Sequence, residues 1–169
     1  GSAAESWFGN FGGAGISGAI ARRANESSKA LGGRASFVWA TVAVFARWRS
    51  EAIEIAVGDE RRSGRYFEIL AMLGEYTAGG MRMAPGASAA DGLLDAVLIG
   101  DVTKVDFVRT FPKVYRGRHL GHPKIELLRA PTVSVAAERP LPVALDGEQP
   151  GTTPVTFEVV SNALRLRVP

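Results

Sequence analysis

The sequence predicts a mainly β domain with a few helices, an α+β fold whose strands are arranged as in a β-sandwich. Three observations lead to this prediction. Apolar and polar residues alternate in several short runs, turn-forming residues separate these runs, and only two or three segments have helical spacing. Of the 169 residues, 46% are hydrophobic, which is enough for one domain with its own core. Residues 1–169 are therefore treated as a single domain.

The first part of the chain carries two predicted helices. A short strand over 6–10 runs into a glycine-rich loop over 12–18, and a helix follows from about Ser17 until Gly32-Gly33 ends it. The next helix is predicted over 36–49, because large apolar residues recur there at helical spacing and form one broad face.

The middle of the chain changes from a helical period to an alternating one. Isoleucine and valine alternate with Glu54 and Ala56 over 53–57, which predicts a half-buried strand. The other elements predicted here are a polar turn over 58–65, strands over 66–73 and 94–99, and a short helix over 105–115 that Pro112 interrupts.

The last third is predicted to contain only strands. Turn residues separate the apolar runs at short intervals, as in a sandwich or a partly closed barrel. The predicted strands span 125–129, 132–137, 142–146, 155–160 and 163–168.

The composition excludes several classes of function. The chain has no Cys, so it can form neither a disulfide nor a thiolate metal site or nucleophile. No apolar run approaches the roughly 20 residues that a membrane-spanning helix needs. The formal net charge of +3 comes mainly from short arginine clusters without interleaved aromatic residues, so no nucleic-acid partner is expected.

A glycine-rich stretch over 13–18 matches the G-x-G-x-x-G pattern of dinucleotide-binding folds. In those folds an acidic residue follows about 20 residues later, at the end of a second strand. The corresponding region here, 34–38, has no acidic residue and is predicted to open a helix. A close-packed glycine turn is therefore favoured over a nicotinamide site.

A long loop carries Asp91-Gly92, and two interpretations of this loop stay open. Asp and Gly are common turn residues, and the spacing alone favours a tight turn. The alternative is an oxygen-ligand site for a hard cation such as Mg²⁺, formed by the Asp91 carboxylate and nearby backbone carbonyl groups.

The sequence Asp146-Gly147-Glu148 follows a predicted strand and is also ambiguous. Asp-Gly between two apolar runs is typical of a hairpin turn, which the residues alone favour. On a continuous strand, residues two apart point the same way, so the carboxylates of Asp146 and Glu148 could serve a cation or a general base. His119 and His122 lack supporting carboxylate or cysteine ligands, and they are interpreted as surface loop residues.

Several motifs occur in one order along nearly the whole chain. They are Phe8-Gly9-Asn10 with Gly15, Gly79-Gly80-Met81 through Pro85, Asp91-Gly92-Leu93-Leu94-Asp95, Gly117-Arg118-His119, and Asp146-Gly147-Glu148. The combination resembles the C-terminal domain of the diacylglycerol kinase, sphingosine kinase and YegS-type lipid kinase family.

The resemblance implies the β-rich half of a two-domain, ATP-dependent lipid kinase. In that family an N-terminal domain holds the ATP phosphates with a Gly-Gly-Asp-Gly-Thr loop. These 169 residues lack that loop, so none of them is assigned to ATP. The family's general base corresponds to Glu148, with Asp146 in a supporting role. Its structural Mg²⁺ site corresponds to the Asp91 carboxylate and backbone oxygens of Ser88 and Leu93.

The resemblance also sets expectations for partners and location. The substrate would be diacylglycerol or a related lipid, phosphorylated by a cytoplasmic enzyme that is peripheral to the membrane and serves phospholipid biosynthesis. The missing N-terminal domain would be the main partner, and apolar surface exposed without it would favour homo-oligomers. The isolated chain would be inactive. The alternative is a non-catalytic domain of the same fold that binds a lipid or a protein partner.

Overall fold

The computed structural model describes residues 5–31 and 41–164, and this part of the chain forms a strand-rich domain. The helices are α1 (Ile16–Leu31), α2 (41–47) and α3 (Lys104–Val114), with short 3₁₀ turns at Ala78–Gly80 and Arg118–Gly121. The strands are β1 (Phe11–Gly15), β2 (Glu51–Val57), β3 (Glu60–Met72), β4 (Tyr76–Thr77), β5 (Met81–Arg82), β6 (Leu94–Gly100), β7 (Ile125–Ala130), β8 (Thr132–Ala137), β9 (Pro142–Leu145), β10 (Glu148–Thr152) and β11 (Val155–Glu158).

The longest strand, β3, joins the two parts of one antiparallel sheet. Its first half, residues 60–66, pairs with β2. Its second half, residues 68–72, pairs with β1 on one edge and with β6 on the other. The sheet order is β10-β9-β1-β3-β2-β8-β11, and β6 branches from β3 to pair with β7. The pair β4 and β5 forms a separate two-stranded ribbon.

Alternate residues of these strands meet in one buried core. Ile53, Ile55 and Val57 of β2 are at most 4% exposed, and they pack with inward residues of β3, β6, β8, β9 and β11. Because strands from distant positions in the sheet order contribute to the same core, the sheet curls over on itself as a sandwich. The predicted fold class, mainly β with a few helices, is confirmed.

A smaller apolar cluster covers the outer face of β3 and β6. Leu70, Met72 and Val97 alternate with the core residues of their strands and pack against Met83 and against Val114 of α3. This cluster seats α3 and the loop after β5 on the sheet, on the opposite side from the main core.

Most predicted elements are confirmed, although parts of two lie outside the described residues. The helix predicted over 36–49 is confirmed for 41–47, while residues 36–40 fall outside the described part of the chain. Of the strand predicted over 163–168, residues 163–164 are not in a strand, and the rest is likewise not described.

Two predictions about strand boundaries are wrong, and one strand was not predicted. Residues 6–10 are irregular, and β1 instead occupies 11–15, inside the glycine-rich stretch. The polar stretch 58–65 is mostly strand, because the hairpin of β2 and β3 extends beyond the core, where polar side chains face solvent. Strand β10 was not predicted, since its residues 148–152 have no apolar alternation and are ordered by pairing with β9.

Pro112 does not interrupt α3, which runs from Lys104 to Val114. The first turn is closed by a capping box, in which the Asp106 N–H donates to the Thr103 hydroxyl and the Asp106 carboxylate accepts from the Thr103 backbone. A proline there removes one backbone hydrogen bond, on an exposed side of the helix. The closed first turn and the packing of α3 on the sheet outweigh this loss.

Candidate active site

Asp146 and Gly147 form the turn between β9 and β10. Both residues have left-handed backbone conformations, with φ of 49° and 95°, as in a two-residue hairpin turn. Leu145 pairs with Glu148 across the turn. The hairpin interpretation is therefore confirmed. The expectation that Asp146 and Glu148 project from one continuous strand is wrong, because the chain reverses between them.

The carboxylate of Asp146 is held by the backbone segment that leads into β1. It accepts hydrogen bonds from the N–H groups of Gly9 at 2.6 Å, Asn10 at 3.1 Å and Phe11 at 2.8 Å. The Asp146 N–H donates in turn to the Phe11 carbonyl oxygen at 3.0 Å. Both carboxylate oxygens are thus occupied, and Asp146 fixes the position of the hairpin.

Glu148 differs from Asp146 in having a free side chain. It is exposed at the first position of β10, and its carboxylate has no hydrogen bond or ion pair within the described residues. A carboxylate at a fixed strand end, not committed to the protein itself, is able to accept a proton from a bound molecule.

A cavity of about 2180 Å³ brings the hairpin and the Asp91 loop together. Ser88, Asp91 and Asp146 line this cavity, whereas Leu93 and Glu148 do not. Apolar side chains form much of the remaining wall, among them Trp7, Phe8, Leu73, Leu145, Phe157 and Val160. A wall of this kind with a few polar groups suits a ligand that has an apolar body and a polar end.

Local hydrogen bonds close the loop around Asp91. The Asp91 carboxylate accepts from the Leu93 N–H at 3.0 Å, and the Asp91 N–H donates to the Ser88 carbonyl oxygen at 3.4 Å. Gly92 has a left-handed φ of 75°, which the turn requires. The tight turn that the spacing favours is therefore present.

Arg129 links Asp91 to a second carboxylate, Asp95, that the sequence analysis did not assign to the site. The Arg129 guanidinium is hydrogen-bonded to Asp91, and its Nε lies 3.1 Å from Oδ1 of Asp95. Asp95 is only 2% exposed, and its Oδ2 has no hydrogen-bond partner among the described residues. Burial raises the pKa of Asp95, Arg129 opposes that shift, and the neighbouring Asp91 adds to it.

The sequence gives no local signal for this cluster. Asp95 lies directly opposite Arg129 in the register of β6 and β7, and that register is set only when the strands pair. The sequence shows only that an acidic residue, Asp95, is the second residue of an otherwise apolar strand, and this does not indicate which residue lies opposite it.

The oxygen atoms around Asp91 are suitable ligands for a hard cation. Arg129 would compete with that cation for the Asp91 carboxylate. The Asp91 carboxylate, the Ser88 carbonyl oxygen and the unpartnered Asp95 Oδ2 are all ligands that Mg²⁺ accepts. Across residues 5–31 and 41–164, no three His, Cys, Asp or Glu side chains are grouped as a metal site, so backbone oxygens would have to complete the shell. Arg129 would have to move away from Asp91 for an ion to bind.

The glycine-rich stretch over 13–18 is not a dinucleotide site. The N-terminus of α1 already holds the carboxylate of Glu68, which accepts from the Ser17 N–H and from the Ser17 hydroxyl, both at 2.7 Å. A Cβ on Gly13 would lie 2.9 Å from this carboxylate, and one on Gly18 would lie 2.3 Å from the Pro142 carbonyl oxygen. The glycines therefore serve close packing, and Glu68 occupies the place where a phosphate would bind.

Glu68 makes the stability of the domain depend on pH. It is 3% exposed, and burial raises its pKa to about 7, against the opposing effect of its hydrogen bonds from Ser17 and Ile16. Folding therefore favours the protonated form. The stabilisation from this group is complete below pH 4.5 and is lost as the pH rises through 7, by about 3 kcal/mol in total.

We expect Glu68→Gln to remove this loss of stability between pH 5 and pH 8. Urea unfolding at both pH values measures it, and Glu138→Gln, a change at an exposed carboxylate, is the matched control. Carboxylates with a lowered pKa, such as Glu75 and Asp106, act only at lower pH. Burial raises the pKa of Asp95 and lowers the pKa of His119, but both residues are present in the wild type and in Glu68→Gln, so their effects cancel when the two pH slopes are compared. An unchanged pH slope in Glu68→Gln would show that Glu68 is ionised in the folded state.

His119 is buried, and its interpretation as a surface residue is wrong. It is 0% exposed, its Nε2 lies 3.0 Å from the Met83 carbonyl oxygen, and burial lowers its pKa. The reason is that the 3₁₀ turn carrying His119 packs onto the outer apolar cluster through Leu120. His122 is half-buried, and its Nδ1 accepts from the Lys124 N–H at 3.2 Å.

The fold and the cavity define a β-sandwich domain whose polar site lies at a hairpin end. The sequence model described as the YegS C-terminal NAD kinase beta sandwich-like domain matches residues 12–168, and the chain belongs to this family. The resemblance to the C-terminal domain of diacylglycerol kinase and YegS-type lipid kinases is thereby confirmed.

Individual relatives are named diacylglycerol kinases. The enzyme of Mycobacterium tuberculosis is 27% identical over 168 residues, which are 98% of this chain and 53% of that protein. The enzyme of Bacillus subtilis is 27% identical over 109 residues, 64% of this chain and 36% of that protein. The chain thus spans about half, or less, of the length of these curated relatives.

Solved structures share the fold. A crystal structure of a diacylglycerol kinase from Bacillus anthracis superposes with a TM-score of 0.57 at 16% identity, covering 91% of this chain and 47% of that one. Among the described helices, none has the length and apolar character needed to cross a bilayer.

Proposed function

We propose that this chain is the β-rich half of an ATP-dependent lipid kinase that phosphorylates a lipid hydroxyl, such as that of diacylglycerol. The observation that carries the proposal is the match of 98% of the chain to a diacylglycerol kinase. The same proposal places the enzyme in the cytoplasm, peripheral to the membrane, and in phospholipid biosynthesis. ATP would be bound mainly by residues outside these 169.

In this proposal Glu148 is the general base. Its free, exposed carboxylate accepts the proton of the lipid hydroxyl while the hydroxyl oxygen bonds to the γ-phosphorus of ATP. The bond from that phosphorus to the β–γ bridging oxygen breaks, and ADP leaves. Asp146 moves no proton, because both of its oxygens are held by backbone N–H groups. It is a positioning residue that fixes the turn before Glu148.

The cavity supports a substrate with a long apolar part. Its apolar wall and polar end suit a lipid, and Trp7, Val160 and Leu164 at its margin are 71%, 54% and 78% exposed. Exposed apolar residues beside a polar site suit contact with another domain or with a second copy of the chain. The proposed partners are therefore the lipid and a nucleotide-binding domain, with self-association when that domain is absent.

Mg²⁺ at the loop would be held by the Asp91 carboxylate and by backbone oxygens of Ser88 and Leu93. When bound, the ion would supply positive charge that orders the loop. Arg129 supplies that charge in its absence, through its contacts with Asp91 and Asp95. The two cations are therefore expected to compete for Asp91.

We expect Asp91→Asn to abolish stabilisation by Mg²⁺, and Arg129→Gln to lower the Kd for Mg²⁺ by removing the competing guanidinium. An ion at ten times its Kd stabilises the folded state by about 1.4 kcal/mol. Unfolding curves of a full-length protein with and without Mg²⁺ measure this difference for each variant.

Asp101→Asn, at another exposed aspartate, is the matched control for this titration. Arg129→Gln also removes the partner of Asp95, so its stability without Mg²⁺ is expected to fall, and only the increment caused by the ion is compared. If Asp91→Asn keeps the full increment, the ion does not bind at this loop.

The alternative function, lipid binding without catalysis, is favoured by one observation. Glu148 does not line the cavity that would take the lipid. A panel of hydroxyl lipids incubated with labelled ATP, Mg²⁺ and a full-length protein separates the two functions. Label transferred to one lipid class supports the kinase. Binding of lipid without transfer supports the alternative.

A further inference from the structure

Helix α3 is packed on the protein along one side only. Phe107 lies against Phe67 of β3 and Phe45 of α2, with ring centroids 5.4 Å and 4.4 Å away. Thr110 and Val114, which belong to α3, are buried. These contacts fix the rotation of α3 about its axis, so its outer side is presented to the surroundings in one defined orientation.

The outer side of α3 carries a continuous apolar row. Its members are Val105, Val108, Phe111 and Tyr115, which are 56%, 62%, 37% and 49% exposed. Their spacing of three, three and four residues places them on one face of the helix. Single exposed apolar residues are ordinary on a protein surface, but a continuous row along a whole helix marks a contact surface.

A basic row runs beside the apolar row. It consists of Arg109, Lys113 and Arg116, which are exposed and follow one another at spacings of four and three residues. None of the three has an ion pair within the described part of the chain. Like charges at this spacing repel one another and destabilise an isolated helix, so the row is favourable only beside a negatively charged partner.

The remaining cation of the helix has a different role. The Lys104 ammonium donates to the Trp48 carbonyl oxygen at 2.7 Å and to that of Phe45, and it lies 4.3 Å from the centroid of the Phe45 ring. Lys104 therefore ties α3 to α2, whereas the basic row has no ion pair with any residue of 5–31 or 41–164.

We infer that α3 lies flat on an anionic lipid surface. The apolar row would enter the boundary between headgroups and acyl chains, and the basic row would meet the lipid phosphates. A helix with an apolar face and a Lys- and Arg-rich flank is the element that binds in this plane. The inference rests on the proposed function, since it names the surface through which a lipid kinase would meet its membrane.

A lipid surface fits α3 better than a protein partner does. Burying three unpaired cations in a protein interface is costly unless each finds a carboxylate, whereas an anionic bilayer offers phosphates over its whole surface. No residue of α3 lines the large cavity, so α3 and the proposed lipid cavity are separate surfaces of the described domain.

Binding to vesicles tests the inference without any measurement of turnover. The chain is expected to sediment with vesicles containing phosphatidylglycerol, not with phosphatidylcholine alone, and less strongly as salt is added. Neutralising Arg109, Lys113 and Arg116 together to Gln is expected to weaken the partition coefficient roughly 100-fold, at about five-fold for each residue. The control removes the same charge from three other exposed arginines, Arg22, Arg61 and Arg139.

The absence of Cys allows the depth of the helix to be measured directly. Val108→Cys, at a position 62% exposed on α3, and Asp59→Cys, at the exposed turn between β2 and β3, each create a single thiol. Asp59 lies outside both α3 and the large cavity. An environment-sensitive fluorophore is expected to shift to the blue with anionic vesicles at position 108 and to stay unchanged at position 59. Vesicle binding is then repeated with the two neutralised triple variants in a full-length protein.

Three results would overturn the inference. The first is a folded chain that does not bind anionic vesicles, and the second is equal weakening by the two triple variants. The third is an unshifted fluorophore at position 108. If changes at α3 alter the association of a full-length protein with itself or another protein while vesicle binding is unaffected, α3 is a protein interface. A protein without kinase activity that still binds vesicles through α3 would refute only the proposed function.

Discussion

Replacing Glu148 by Gln is expected to lower the kcat of a full-length protein that contains this domain by roughly 10²–10⁴-fold. Gln keeps the size and hydrogen-bonding capacity of the side chain but cannot accept the proton. Because Glu148 is exposed and unpartnered within the described residues, the free energy of unfolding is expected to change by less than about 0.5 kcal/mol. Transfer of labelled phosphate to a lipid and a thermal unfolding curve give the two quantities.

Neighbouring variants distinguish a general base from a plain turn. Asp146→Asn is expected to cost less than Glu148→Gln, because Asn keeps one acceptor oxygen and tolerates the left-handed backbone at this position. Gly147→Val is expected to destabilise the protein, because φ of 95° is strained for valine. Glu138→Gln, at an exposed glutamate away from the hairpin, is the control. If Glu148→Gln stays within a few-fold of wild type while Gly147→Val abolishes activity, the hairpin is only a turn.

The isolated chain of 169 residues is expected to transfer no phosphate from ATP. This loss of activity is expected to be larger than the loss caused by Glu148→Gln. Phosphoryl transfer depends mainly on positioning the γ-phosphoryl group and neutralising its charge, and the proton acceptor contributes only part. The chain lacks the Gly-Gly-Asp-Gly-Thr sequence. Its match to a diacylglycerol kinase covers 98% of the chain but only 53% of that protein.

The same assay on the chain and on a full-length protein tests this expectation. Circular dichroism and a cooperative unfolding transition must first show that the chain is folded. Turnover by the chain alone that is lost in Glu148→Gln would place the nucleotide site within these 169 residues. The two-domain arrangement would then be wrong, although the role of Glu148 would stand.

The two proposed activities, membrane binding through α3 and catalysis at Glu148, depend on different parts of the protein. The proposed catalysis at Glu148 would require a nucleotide and a second domain, whereas the proposed docking by α3 would require only the exposed rows of one helix. Variants at the two places are therefore expected to separate membrane binding from turnover. Neutralising the basic row should lower activity on vesicles more than activity on a detergent-dispersed lipid, while Glu148→Gln should lower both alike.

The sequence by itself determined the fold class and the family. Alternation over 53–57 identified β2, helical spacing over 105–115 identified α3, and the ordered motifs identified a lipid kinase C-terminal domain. These features are local or follow chain order, so they can be read without knowing which strands pair. Residues 58–65 and 148–152 have no alternation of apolar and polar residues, so the strands that form there were not predicted.

Only the tertiary structure decided which groups meet. Asp146 reaches the backbone of Gly9, which is 137 residues away in sequence, and Arg129 reaches Asp91, 38 residues away. The carboxylate of Glu68 binds the N-terminus of α1 at Ser17, from which it is 51 residues away in sequence. Because this carboxylate fills the place of a phosphate, the glycine-rich stretch is not a dinucleotide site. These contacts depend on strand register and on how the sheet curls, and both are set by packing of the whole core. A motif can therefore name a residue such as Asp146, but only the fold shows that its carboxylate is already occupied.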